Sequence, residues 1–404
     1  MEYNVQLKNL SSYIYRGKQP KYVTEGIPVI NQKAIQWDTF DKSVLKYHDE
    51  NKKIDKRHFI KKNDVLINST GTGTVGRVYH INYEPDLMFA DSHITIVRTN
   101  EDLLISRFLY YQMRTTQFQA MILNEFLAGS TGQVEFNKSM IEKLPINVPS
   151  ISYQYKVVNI LSKLDEKIET NKQIIANLEE LSQTLFKRWF VDFEFPDKNG
   201  NPYKSSGGEM IDSELGEIPL SWEIQKLNDI FKINYGKNLP IKKILNTGYP
   251  VFGGNGIIGY YSSYMYETPK ILISCRGAAS GKIHISKEKS FVTNNSIVLD
   301  EKKKNYFYYF KELYKYNDFK RYSTGSAQPQ ITIANIKDLI YLTPDTNIID
   351  LFNSKVSCLF NKKNNCEDEN QKLIQLRDTL LPKLMSGEIE IPDDIEVNED
   401  ELSI

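Results

Sequence analysis

Cysteine and histidine are both scarce in this chain, and each shortage removes a class of explanation. The three cysteines, Cys275, Cys358 and Cys366, form no CxxC pair, which excludes a disulfide framework and argues for core filling at Cys366. The five histidines are scattered with no H-E-x-x-H, so no metal site is expected. No apolar run approaches the roughly 20 residues a membrane span needs. The opening Met-Glu-Tyr-Asn-Val-Gln is no signal peptide, so a cytoplasmic location is expected.

Net charge is missing too, since 51 basic residues balance 51 acidic ones. The zero hides a segregation. Residues 1–150 hold 19 basic against 16 acidic side chains, 151–221 hold 8 against 12, 222–345 hold 18 against 10, and 346–404 hold 6 against 13. Positive charge collects on two segments, as it would if only those met a polyanion.

What the chain does have is a helix that occurs twice. From Val157 to Trp189 the side chains Leu161, Leu164, Ile168, Asn171, Ile175, Leu178, Ser182 and Leu185 step by three and four, the seam of a coiled coil. A shift of 195 residues brings the same face back without a gap. Gln133 falls on Gln328, Leu144 on Leu339, Pro149 on Pro344, Leu164 on Leu359, Leu178 on Leu373, Leu181 on Leu376, and Leu185 on Leu380. The second seam therefore contains Phe352, Val356, Leu359, Leu373 and Leu380, while Lys363, Cys366 and Asn370 replace Ile168, Asn171 and Ile175, making its middle polar. Such a register marks an internal repeat.

Ahead of each helix stands a mixed α/β segment. The first carries strand-like runs at Asp64 to Ile67 and His93 to Val97 and a helix-like run from Leu104 to Leu127. The second carries Lys270 to Ile273, Asn295 to Leu299, and a helix around Phe307 to Phe319. Gly26-Ile27-Pro28-Val29 matches Gly248-Tyr249-Pro250-Val251, so the likeness reaches nearly to the start of each half. The boundaries read as a domain at 1–149, a helix at 150–193, a Gly, Pro and Ser rich linker at 194–221, a second domain at 222–344, a second helix at 345–390 and an acidic tail at 391–404. Ser150 or Ser152 can cap the first helix, and Asp345 or Asn347 the second.

The glycine-rich stretches invite chemistry and mostly decline it. Gly71-Thr72-Gly73-Thr74-Val75-Gly76 satisfies G-x-G-x-x-G, but Arg77 to Pro85 alternates like a strand where a nucleotide site needs a helix. A turn whose amides, with Thr70 and Arg77, approach a phosphate is the better reading, and Arg276 to Lys282 takes the same place in the second half. Phe252-Gly253-Gly254-Asn255-Gly256 has the F-x-G-x-G form of adenosylmethionine enzymes without the companion N-P-P-Y. No catalytic constellation emerges. Ser130, Thr131 and Gln133, matched by Ser326, Gln328 and Gln330, are short polar groups on Gly-framed loops, and Gln suits an adenine edge. An ordinary turn remains open there. Tyr314, Tyr316, Phe319 and Tyr322, mixed with Lys315, Lys320 and Arg321, read either as a backbone-contacting surface or as a buried helix face.

The repeat predicts antiparallel helices with one domain at each end. About 33 helical residues span roughly 50 Å, enough to hold two readers about one DNA turn, roughly 34 to 36 Å, apart.

The order of domain, helix, domain, helix is accompanied by Val148-Pro149 and Gln154, Leu185 to Phe193, Gly216-Glu217-Ile218-Pro219-Leu220-Ser221-Trp222, and Leu384-Met385-Ser386-Gly387-Glu388-Ile389. Together these resemble the specificity subunit of type I restriction and modification systems across essentially the whole chain. The resemblance implies two pseudo-symmetric α/β (α+β) target recognition domains separated by two long antiparallel coiled-coil helices. It implies a non-catalytic chain that reads a bipartite, asymmetric site on double-stranded DNA. The helices would bind two modification subunits that methylate a flipped adenine, with restriction subunits adding translocation and cleavage. No cofactor is expected on this chain; S-adenosylmethionine, ATP and Mg would belong to the partners. The competing readings are a coiled-coil scaffold for protein or carbohydrate ligands, and a free-standing methyltransferase.

Overall fold

A computed structural model describes residues 4–37, 39–127, 135–302, 305–316, 319–325 and 329–392. The chain divides into two compact units, residues 1–170 with 369–404, and residues 171–368. Each contains one globular head and parts of both long helices.

In the first unit the long apolar runs become the middle of an antiparallel sheet. Its order is Ser11–Arg16, Ile94–Thr99, Val65–Asn68, Val78–His80. All four residues of Val65–Asn68 are buried, as expected of a central strand covered on both faces. The second unit repeats that order with Phe231–Tyr235, Ser296–Glu301, Ile271–Ser274 and Ile283–Ile285.

A smaller sheet backs each of these. Val29 pairs in parallel with Phe89 in one head, and Val251 with Phe291 in the other. The strands that open and close each head also pair, Asn4–Gln6 with Pro145–Asn147 and Glu223–Lys226 with Ile340–Thr343. Each head is thus sealed at its base, where the helices attach.

The helix-like run from Leu104 to Leu127 is broken. Ser106–Arg114 stops, and Thr115 caps a new helix, Thr116–Met121, by accepting from the Phe118 amide at 3.2 Å. In the second head Phe307–Leu313 passes into short 3-10 turns. Tyr314 and Phe319 are buried there, so the buried-face reading holds for these two, while Lys315, Lys320 and Arg321 are exposed.

The long helices are Ile151–Phe186 and Thr346–Ser386. Ser150 Oγ accepts from the Tyr153 amide at 3.3 Å, and Gly387, with φ of 73°, ends the second helix in the left-handed conformation. Within each unit the helices run antiparallel. In the first, Tyr153 donates to the Leu384 carbonyl at 2.8 Å, Asp165 pairs with Arg377 at 3.0 Å, and Lys167 with Glu369 at 3.3 Å. In the second, Phe186 packs against Phe352 while Glu179, further up the first helix, pairs with Lys363.

Of the seam positions, Leu161, Ile168, Asn171, Phe352 and Val356 are buried, and Leu164, Ile175, Leu178, Leu185, Leu359, Leu373 and Leu380 are half-buried. The polar middle is also inside. Asn370 is buried and donates to the Ile168 carbonyl at 3.3 Å, Cys366 is buried, and Lys363 is shared between Glu179 and Glu367.

The stretch expected as a linker is folded. Met210–Ser213 and Gly216–Pro219 form a hairpin, and Phe195 stacks between Tyr203 and Trp222 at 4.5 and 5.1 Å. Composition pointed to loops, but three aromatic rings supply the burial that orders them.

Candidate nucleic-acid interface

In each head the central strand of the main sheet runs into a glycine-rich turn, and the chain returns to that same strand end more than fifty residues later. Thr70 bridges Glu135 in the first head, with the Phe136 amide bonded to the Ser69 carbonyl at 2.7 Å. Arg276 bridges Gln330 in the second, with Ile331 bonded to Cys275 at 3.0 Å. Sequence separation hides this meeting; strand pairing produces it.

The first turn is built differently from what its glycines suggest. Gly71, Gly73 and Gly76 have φ of 101°, 77° and 83°, which only glycine adopts freely. The amides of Thr74 and Val75 both bond the Gly71 carbonyl, and that of Gly76 bonds Asn68. Arg77 spans the turn, donating to Gln36 Oε1 at 2.5 Å and to the Gly73 carbonyl at 2.9 Å. Those three amides are spent inside the loop, and Arg77 is held by Gln36 and the Gly73 carbonyl. No nucleotide-binding helix follows, since Val78–His80 is a strand. Thr72 stays exposed at the tip.

Next to this turn lies a cleft of about 240 Å³ lined by Arg16, Thr70, Ser92, His93 and Glu135. Thr70 Oγ1 donates to Gln32 Oε1 at 3.2 Å and so accepts from His93 Nδ1 at 2.8 Å. Asp91, whose carboxyl is pushed up by burial, holds the His93 amide at 2.8 Å. Arg16 pairs with Glu135. The cleft therefore offers a guanidinium donor, a carboxylate acceptor and an imidazole, the mixture that reads base edges.

The equivalent place in the second head carries other side chains. Tyr235 ends the strand that Arg16 ends in the first head, and Asn295 takes the place of His93. Arg276 and Lys282 are exposed; Lys282 donates to Asn255 Oδ1 at 3.0 Å, and Gln330 exchanges two backbone bonds with Thr324 at 2.9 and 2.8 Å. Two predicted loops are thus brought together here: Arg276 to Lys282, and Gln330. Ser130, Thr131, Gln133, Ser326 and Gln328 lie outside the described residues. Among the described residues no cluster of His, Cys, Asp and Glu could hold a metal ion, and no helix is long and apolar enough to cross a membrane.

Sequence reasoning missed Arg16, Gln32, His93, Glu135, Tyr235 and Asn255. Apart from Asn255, in the glycine run Phe252 to Gly256, none sits in a motif. Only the return of distant segments to one strand end assembles them.

Comparison with known proteins supplies the context. Residues 8–180 and 219–348 match the family described as type I restriction modification DNA specificity domain. The chain is 28% identical over 314 residues to the type I restriction enzyme MjaIX specificity subunit of Methanocaldococcus jannaschii, covering 72% of this chain and 71% of that protein. It is 26% identical over 408 residues to the HindI specificity subunit of Haemophilus influenzae, covering 82% and 87%. A crystal structure of a type I restriction-modification S subunit from M. genitalium superposes with a TM-score of 0.66 at 20% identity, covering 95% and 96% of the two chains.

Proposed function

Because the chain belongs to the type I restriction modification DNA specificity family, we propose that it reads an asymmetric, two-part sequence on double-stranded DNA and assigns it to catalytic partners. The observation that carries this reading is the unlike chemistry of one shared position. Arg16, His93 and Glu135 line the cleft at Thr70 in the first head; in the second, strand register puts Tyr235 and Asn295 at the matching positions and Gln330 bridges Arg276. Two heads of one fold with different donors and acceptors bind different half-sites. Arginine and carboxylate suit a guanine and its cytosine, and glutamine suits adenine.

The contacts assigned to DNA are the loops at Thr70 to Thr72, Ser130 to Gln133, Arg276 to Lys282 and Ser326 to Gln330. Replacing Arg276 with alanine should weaken binding to the cognate duplex about tenfold and lower the salt slope by about one. Affinity unchanged across a salt titration would remove that loop from the interface. A chain with no salt-dependent DNA binding at all would favour the scaffold reading.

The helices set the unread spacer between the half-sites and carry the partners. Matched one-heptad insertions in both helices should change the spacer that is modified; an unaltered spacer would refute the role. Leu181 and Leu376, related by the 195-residue repeat, are 55% and 46% exposed. Two equivalent apolar positions suit two copies of one partner, the modification subunit. Leu181→Asp and Leu376→Asp should each remove one copy and the double variant both, read as subunit stoichiometry by native mass spectrometry.

In this reading the chain is non-catalytic and works in the cytoplasm. S-adenosylmethionine, ATP and Mg are used by the modification and restriction subunits.

A further inference from the structure

The second unit holds a cleft of about 550 Å³ where the head's helix Phe307–Leu313 faces the second long helix. Phe307, Tyr308 and Phe360 supply its aromatic walls, the first two rings standing edge-on to Phe360 at 5.9 and 5.6 Å. Three carboxylates, Glu288, Glu301 and Asp350, also line it, with no lysine or arginine among the described lining residues. Asn353 donates to the Asn305 carbonyl at 2.6 Å, and its own Oδ1 is buried without a partner. Lys311 lies 5.3 Å from the centre of the Phe360 ring, but its charge is spent on Glu312.

The first unit shows what such a place accommodates. Glu101 accepts from the Ser106 amide and Glu301 from the Phe307 amide, which sets the two head helices in register and puts Arg107 where Tyr308 stands. The 195-residue repeat aligns Glu166 with Asn361, another lining residue. In the first unit Arg107 is largely buried and pairs with Glu166 at 3.5 Å. That head fills the space with its own guanidinium. The second head has no arginine there and keeps aromatic walls, carboxylates and an unpaired acceptor.

We propose that this cleft binds the guanidinium or alkylammonium group of a cationic ligand. Aromatic faces attract such a group, carboxylates neutralise it, and the Asn353 carbonyl gains the donor it lacks. The site does not depend on DNA reading, and its test needs no DNA.

Agmatine titrated calorimetrically into the full chain should bind saturably with one site. Tyr308→Arg, which restores the guanidinium arrangement of the first head, should weaken it at least tenfold, and Asp350→Asn should weaken it severalfold. Glu214→Gln, an exposed carboxylate on the hairpin, should leave it unchanged. Absence of saturable binding, equal binding by Tyr308→Arg, or an equal loss in Glu214→Gln would each overturn the proposal. Adding the purified modification subunit separates two sources: displacement of agmatine identifies a partner's basic side chain, and retention identifies a free cation.

Discussion

The two helix-to-head joints solve one problem with opposite placements of charge. In the first unit Arg377, on the second long helix, pairs with Asp165 on the first at 3.0 Å, and Asp165 also accepts from Tyr111 of the head at 2.7 Å. In the second unit the repeat puts Ser182 where Arg377 stands. Ser182 donates to Glu312 of the head at 2.9 Å, and Glu312 pairs with Lys311 and Lys315. Glu312 occupies the place of Tyr111, and Phe360 that of Asp165. The carboxylate has moved from helix to head, and the cation with it. What persists is the need for a hydrogen-bonded tie beneath each head; which element supplies the charge is free to change.

The sharpest break between the units is expected in acid. His80 is fully buried against Ser106 Oγ at 3.0 Å, and burial pushes its imidazole from the ordinary 6.5 down to about 3. Unfolded chain binds that proton first, so stability is full above the unfolded value and is lost as pH falls from 6.5 towards 3. At pH 4 the cost is about 3 kcal/mol. Strand register puts Ile285 in the corresponding place of the second head. His80→Ile should therefore remove most of the acid sensitivity of the first unit, followed by hydrogen exchange between pH 7 and 4. An unchanged pH profile would show that the histidine is not shielded.

A smaller effect tests the joints. Arg377→Ala should destabilise the first unit by about 2 kcal/mol, less than the roughly 3 to 5 expected of a wholly enclosed pair because Asp165 reaches solvent. Ser182→Ala should cost the second unit about 1 kcal/mol, since Glu312 keeps two lysines. Equal losses in denaturant melts would contradict the rearrangement.

The helices were legible because nothing interrupts them. Their repeat keeps one shift from Glu135/Gln330, 195 residues apart (330 minus 135), to the last seam leucine. Inside the heads the offset is 222 at Val29/Val251 (251 minus 29) and 206 at Val65/Ile271 (271 minus 65), because the second head is shorter in its loops. The strands survive that drift, since buried runs such as Ile271–Ser274 advertise themselves. Arg16 and His93 do not. Each is a single polar residue at a strand end, and its meaning comes from a neighbour that only folding provides. Arg77 was read as flanking a turn that approaches a phosphate, and its guanidinium closes that turn, which presents Thr72.

One pair of glycines sets a limit on all of this variety. A β-carbon on Gly17 would stand 2.0 Å from the Ala90 carbonyl oxygen, and one on Gly236 would stand 2.3 Å from that of Thr293. At both places the chain steps from the main sheet to the smaller one, bonding first to Ile94 or Ser296 and then to Ala90 or Val292. However freely the surrounding surface is rewritten to suit another target, this stitch admits one spelling. A deep mutational scan of either head should find it the most intolerant letter beside the most permissive ones.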